Sequence, residues 1–283
     1  MPPRGSGFTL HSAGDPVCRA DMEVRALPPL PEDDLAMLRE LFTYLTKPHP
    51  RACHKKARFG GLLARSFATR HMTQDGQKYV CLDPEFTLHT SRRCLVYSFG
   101  IATDWTFDWD MERFGCTVHA FDPSIDLASG SMNGTISFLR YGLGATDHRD
   151  EHGWQIRTLD TFVDFLGHRE RVIHYLKMDV EVMEFEVLRQ QVMRMRSSPL
   201  ARNVEQIGVE LHMTLFLPVW KHIDFYREMY KTFWVMQRMG YYPFYYESNP
   251  MIEADMDVPG LDEKLVSAME VVWMKTRCVK PSA

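Results

Sequence analysis

Five side chains and one glycine carry the chemistry open to this sequence: Gly100, Asp122, Asp179, Glu181, Glu210 and His212. Asp122 follows the Gly100 turn by 22 positions, a spacing that lets a carboxylate accept two hydrogen bonds from a ribose diol. Asp179-Val180-Glu181 and Glu210-Leu211-His212 each set two polar groups two residues apart, on one face if the strand continues that far. A carboxylate or imidazole so placed can take the proton of a hydroxyl nucleophile, so Glu181 and His212 are the candidate catalytic bases. The same four groups could converge on a divalent cation through oxygen ligands and one imidazole, but the spacing alone assigns no metal. Plainer roles stand beside these. Asp179 can cap a helix, Glu210 can pair with a nearby lysine or arginine, and His212 can open a solvated loop.

The elements that must position these groups are legible around Cys94–Asp122, CLVYSFGIATDWTFDWDMERFGCTVHAFD. Cys94 to Phe99 is an uncharged apolar run, the pattern of a buried strand. Gly100 lets the backbone turn closely over a ligand. Asp104 to Phe114 suits a crossover helix, and Thr117 to Phe121 the next parallel strand. Ile101, Ala102, Thr103, Asp104 and Trp105 supply no further glycine, so the nicotinamide fingerprint is absent and an oxidoreductase is the weaker reading. Further strands are expected at 136–141, 171–178, 204–211, 241–246 and 265–274, with helices over 158–166, 181–196 and 219–239. Alternating strands and helices give a parallel sheet covered on both faces. The last two strands lack a helix between them, so one should enter antiparallel.

With 45% apolar and 25% charged residues, the chain has the composition of a globular protein with a full core. A formal charge of −4, with scattered basic residues, argues against a nucleic-acid partner. No apolar run approaches the roughly 18 residues of a membrane span, and the first residues lack the apolar centre of a signal peptide. The chain therefore reads as soluble as written. Its compartment stays open, the secretory pathway included if the N-terminus is incomplete. Six cysteines are too sparse for a disulfide scaffold and lack metal spacing, and Cys94 and Cys116 read as packed thiols. Asn133-Gly134-Thr135 is a glycosylation sequon, relevant only to a secretory protein.

Residues 1–30 read as a flexible leader. Residues 31–92 form an N-terminal extension that opens with a helix near Pro31-Glu32-Asp33-Asp34 and contains a short strand at 78–82. Residues 93–276 form the main domain and 277–283 a tail. The aromatic run Tyr241–Tyr246 reads as strand packing before it reads as a stacking platform.

The blocks YSFGIATDWTFD, GCTVHAFDPS, WQIRTLDTF, YLKMDVEVMEFEVL and IGVELH, in this order, resemble the FkbM-like class of S-adenosylmethionine-dependent methyltransferases. Within that class the chain looks most like the methyltransferase-like protein 24 group. The resemblance implies an α/β, Rossmann-like seven-stranded sheet, mostly parallel with the last strand antiparallel, helices on both faces and an N-terminal helical extension. It implies that Ser98, Phe99, Gly100, Ile101 and Ala102 form the S-adenosylmethionine loop, and that Asp122-Pro123 carries the ribose acid. Gly144-Ala145 would approach the adenine, and Asp179 the methionine end and the acceptor, a small molecule or glycan. The chain departs from the family pattern at three positions. Ser98 replaces an acid, Asp104 a glycine, and Glu181-Val182 a Glu-Gly pair. A catalytically degenerate binding protein on the same fold is the alternative.

Overall fold

The structure is a computed structural model and describes residues 18–279, except 87, 89–93, 133 and 253–254. The sequon asparagine Asn133 and the first 17 residues lie outside the described residues. Among the described residues eight strands form the central sheet: β1 (Leu95–Phe99), β2 (Thr117–Phe121), β3 (Gly130–Ser131), β4 (Ile136–Leu139), β5 (Tyr175–Met178), β6 (Gln206–His212), β7 (Tyr241–Ser248) and β8 (Ala268–Lys275). Their spatial order is β7-β8-β6-β5-β1-β2-β4-β3. β8 runs antiparallel to both β6 and β7, as the helix-free connection predicts, while β6, β5, β1, β2 and β4 are mutually parallel. The expected seven strands become eight because Gly130–Ser131 pairs antiparallel with β4 at the edge. A two-residue strand without apolar alternation leaves no periodic signal.

Among the described residues six α-helices accompany the sheet: α1 (Asp34–Thr46), α2 (Thr106–Phe114), α3 (Leu159–Phe165), α4 (Glu184–Met193), α5 (Pro199–Arg202) and α6 (Ile223–Arg238). Asp33 caps α1 by accepting from the Ala36 amide at 2.8 Å, the role expected of an acid at that end. The helix expected from Glu181 begins three residues later, because Glu181 and Val182 adopt positive φ angles of 54° and 77°. Strand order reverses between β5 and β1, and parallel sheets bind ligands beyond their carboxyl ends at such a break.

The sheet separates two apolar layers. One contains Leu38, Phe99, Phe121, Leu188, Phe233 and Trp273, and the other contains Val96, Phe107, Met111, Val118, Phe138 and Val272. The extension is built into this body. Its strand Lys78–Cys81 pairs antiparallel with Lys56–Phe59, and Gln206 of β6 exchanges hydrogen bonds with the Cys81 backbone at 2.8 and 2.9 Å. A second hairpin, Leu62–Arg65 with Met72–Asp75, stands beside it.

Two sequence expectations are corrected here. Residues 18–30 are no free leader. Leu27 is buried, and its amide and carbonyl are both held by the Gln237 side chain of α6, at 2.7 and 3.2 Å. An extended segment held by side-chain hydrogen bonds shows no periodicity. The second correction concerns the cysteines, which are all paired, as Cys18–Cys278, Cys53–Cys81 and Cys94–Cys116. Cys94 and Cys116 immediately precede the adjacent strands β1 and β2, which brings their Cα atoms to 4.5 Å, within bridging distance. Their sequence separation of 22 gives no hint of this neighbourhood.

Candidate functional site

A cavity of about 680 Å³ opens beyond the carboxyl ends of β1, β2, β5 and β6, a volume suited to a cofactor-sized ligand. Phe99, Gly100, Ile101, Ala102, Asp122, Pro123, Asp179 and Glu181, all singled out from sequence, line it. Four predicted residues do not line it, the candidate base His212 among them. Ser98 is fully buried one position before Phe99, on the opposite face of β1. Gly144-Ala145 are replaced at the wall by Gly142 and Leu143. The small size of Gly144 serves packing, since a Cβ there would meet the Ile156 side chain at 2.5 Å.

Gly100 is indispensable for a steric reason. Its φ is 74°, and a Cβ would lie 1.6 Å from the Asp179 carbonyl oxygen, so the β1 turn and the end of β5 touch at this point. Lys177 supports the turn from below. It is buried, and its ammonium donates to the carbonyl oxygens of Phe99 (3.4 Å) and Gly100. A lysine inside the apolar strand RVIHYLKM was the available sequence signal for this role.

Asp122 is 5% exposed and already fully engaged. Its Oδ2 accepts from the amides of Ile101 (2.9 Å) and Ala102 (2.8 Å), and its Oδ1 from the amide (2.8 Å) and hydroxyl (2.6 Å) of Ser124. Four acceptor positions are what a carboxylate offers. The acid therefore shapes the Gly100 loop as well as facing the cavity. Aromatic and aliphatic groups at Phe121, Tyr141, Leu143, Trp154 and Ile156 complete this side of the wall.

The opposite side is rich in carboxylates. Asp179, Glu181 and Glu210 line the cavity at the ends of β5 and β6. Lys78, from the N-terminal extension, is buried among them. Its Nζ lies 2.6 Å from Glu270 Oε2, 3.9 Å from Glu210 Oε2 and 4.0 Å from Asp179 Oδ2. Burial opposes its charge, but these three acids hold Lys78 protonated above its ordinary range. Burial likewise pushes Glu270 up to about 8, against the pull of Lys78. Burial and the Asp179 charge raise Glu210, while Asp179 stays below the usual carboxylate range because Lys78 and Lys177 outweigh its desolvation.

His212 stands on the same strand as Glu210. Its Nδ1 is 3.1 Å from Glu184 Oε1, and its Nε2 is 3.6 Å from Glu210 Oε1 and 3.9 Å from Glu181 Oε2. Burial lowers its proton affinity, but the hydrogen bond and charge of Glu184, with Glu210 and Asp179, raise it to about 9. Glu184 is itself buried and accepts from the Val180 amide at 2.9 Å. Asp179 does not cap α4, whose N-cap position is Met183. Glu181 is the exposed member, with 84% of its side chain accessible. Asp179, Glu181, Glu210 and His212 stand out in the sequence as site residues, whereas Lys78, Lys177 and Glu184 emerge as such only in the folded chain.

Among the described residues no helix is long and apolar enough to cross a membrane. Residues 47–257 match the family described as a methyltransferase domain. The chain is also 30% identical over 146 residues to the human (Homo sapiens) protein named probable methyltransferase-like protein 24, covering 47% of this chain and 37% of that protein. The Rattus norvegicus protein of the same name matches at 30% over 146 residues, with 38% of its length covered. The match thus spans less than two-fifths of either relative's own length. A family match over most of the chain, on a mostly parallel sheet with a cavity at its topological break, has one consequence: the chain belongs to the methyltransferase-domain family.

Proposed function

We propose that the chain is an S-adenosylmethionine-dependent methyltransferase of the FkbM-like kind, acting on an oxygen of a small molecule or glycan. The observation that carries this is the single cavity wall shared by the Gly100 turn, Asp122 and Asp179. The fit to an adenosyl donor is physical. The cavity has a suitable volume, an apolar side for a purine and a buried acid for a ribose diol. Because all four acceptor positions of Asp122 are taken, a ribose hydroxyl would replace the Ser124 hydroxyl on Oδ1, leaving the two loop amides in place.

S-adenosylmethionine, when bound, supplies a methyl group whose bond to the sulfonium sulfur breaks as the bond to the acceptor oxygen forms, leaving a neutral thioether. Rate then depends on holding the acceptor in line, and on a group that takes the hydroxyl proton. Glu181 is the base in this reading, since it lines the cavity and its accessible carboxylate has His212 Nε2 at 3.9 Å. Acids along β5 and β6 give this end a negative potential suited to a cationic sulfonium. Three disulfides support maturation in an oxidising compartment, which fits a secretory setting.

Adding S-adenosylmethionine to the purified chain should raise its melting temperature. Absence of any shift at millimolar donor would contradict the proposal. A Glu181→Gln variant should keep the shift and lose most turnover on any acceptor that the parent methylates. Retained donor binding with no turnover on a broad acceptor panel would favour the degenerate, binding-only alternative.

A further inference from the structure

We propose that Asp179, Glu210 and His212 form a binding site for a divalent metal cation at the β5–β6 end of the cavity. One ligand atom from each lies within 4.8 Å of the other two. A single ion with bonds of about 2.0–2.2 Å to oxygen and nitrogen can close such a set with small side-chain rotations.

The arrangement around His212 supports a ligand role over a surface ion pair. Buried Glu184 takes the Nδ1 side at 3.1 Å and is itself fixed by the Val180 amide. This leaves Nε2 turned toward Glu210 Oε1 at 3.6 Å and Glu181 Oε2 at 3.9 Å. A carboxylate behind an imidazole whose other nitrogen faces more carboxylates is the outer-shell pattern that orients metal-ligating histidines.

One ammonium, that of Lys78, also serves three acids in this region, Asp179, Glu210 and Glu270. Glu270 is 8% exposed, yet its Oε1 has no hydrogen-bond partner. Lys78 approaches Glu210 from the Oε2 side, whereas Oε1 accepts from the Asn249 side-chain amide at 2.5 Å and has His212 Nε2 at 3.6 Å, so a metal would take the second acceptor position of Oε1, away from the ammonium. Glu181, exposed at the cavity, could add a further oxygen, and the remaining positions stay open to solvent or an acceptor.

Two carboxylates and one imidazole suit a hard-to-borderline cation such as Mn²⁺. Such an ion would bind an acceptor oxygen and make its hydroxyl more acidic. Only this last role rests on the methyl-transfer reading, since the site is defined by the chain's own side chains.

The test is a titration of the full chain with Mn²⁺ after chelator treatment, with no methyl donor present, followed by calorimetry and by loss of the free-ion electron paramagnetic resonance signal. The expected result is one Mn²⁺ per chain, bound roughly tenfold or more weakly by His212→Gln and Asp179→Asn, and roughly 10- to 100-fold more weakly by Glu184→Gln. Circular dichroism selects the variants that keep the fold, and one folded variant with weakened binding suffices. No uptake by the parent at millimolar Mn²⁺ would overturn the proposal and leave Lys78 as the principal cation there. Unchanged uptake by the folded variants would overturn it equally.

Discussion

At the β1–β2 side of the cavity, the chain's own N–H and O–H groups fill every acceptor position of Asp122, and Lys177 holds the Gly100 turn. At the β5–β6 side, three carboxylates share the Lys78 ammonium and one oxygen of Glu270 goes unmet. On the first side Asp122 is preorganised by directional hydrogen bonds from its neighbouring loop and from Ser124. The second is held by charge, and its strength depends on a lysine supplied from a distant part of the chain. A donor's nucleoside would meet a finished cradle, whereas an acceptor or cation would complete an unfinished one.

The sharpest way to break this contrast is to remove Lys78. Lys78→Met leaves buried acids without their cation, and should cost about 3–5 kcal/mol in urea unfolding. The double variant Lys78→Met with Glu270→Gln should recover part of that loss. A cost near zero would mean that solvent, not Lys78, compensates these acids.

The amino ends of β5 and β1, below the cavity, should instead fail in acid, through His174. This residue is 4% exposed and accepts the Leu95 amide on Nδ1 at 3.1 Å, tying β5 to the start of β1. Burial, with the Arg171 charge, lowers its pKa to about 4, below its unfolded value. The unfolded chain therefore binds the proton first. Stability is full above pH ~6.5 and falls as pH drops toward ~4, with a loss on the order of 3 kcal/mol at the limit. His174→Asn, which keeps an acceptor at the Nδ1 position, should flatten that slope in pH-dependent denaturant melts. An unchanged slope would assign the acid loss elsewhere.

The Cys94–Cys116 bridge secures β1 and β2 from the end away from the cavity, since it ties the starts of these two strands. Replacing both cysteines with alanine should cost roughly 3 kcal/mol by the loop-entropy account, read as a lower urea midpoint. The smallest expected effect lies across the cavity. Val182 is a β-branched residue at φ 77°, so Val182→Gly should gain up to about 1 kcal/mol in stability. A loss there would mean that the valine side chain makes contacts that outweigh its backbone strain.

The contrast also explains what the sequence made legible. The β1 turn, its crossover helix and the acid of β2 form one local unit, with the apolar runs and glycine on the page. Ser98 and Gly144-Ala145 were assigned to the wall by resemblance, and strand alternation and packing under Ile156 turn them away from it. Lys78 and Glu270 are 192 residues apart, and no periodicity links two such positions. The three disulfides escaped for the same reason, because strand order, not spacing, brings the cysteines together. Helix α4 began late because valine gives no warning of a left-handed backbone.

Asp122 is where the account is most exposed. Calorimetric titration of the parent and of Asp122→Ala with S-adenosylhomocysteine tests it directly. The prediction is saturable binding by the parent and an affinity lowered roughly 10- to 100-fold in the variant, through loss of the ribose bonds and of the loop's anchor. No binding by the parent, or equal affinity in both, would contradict it.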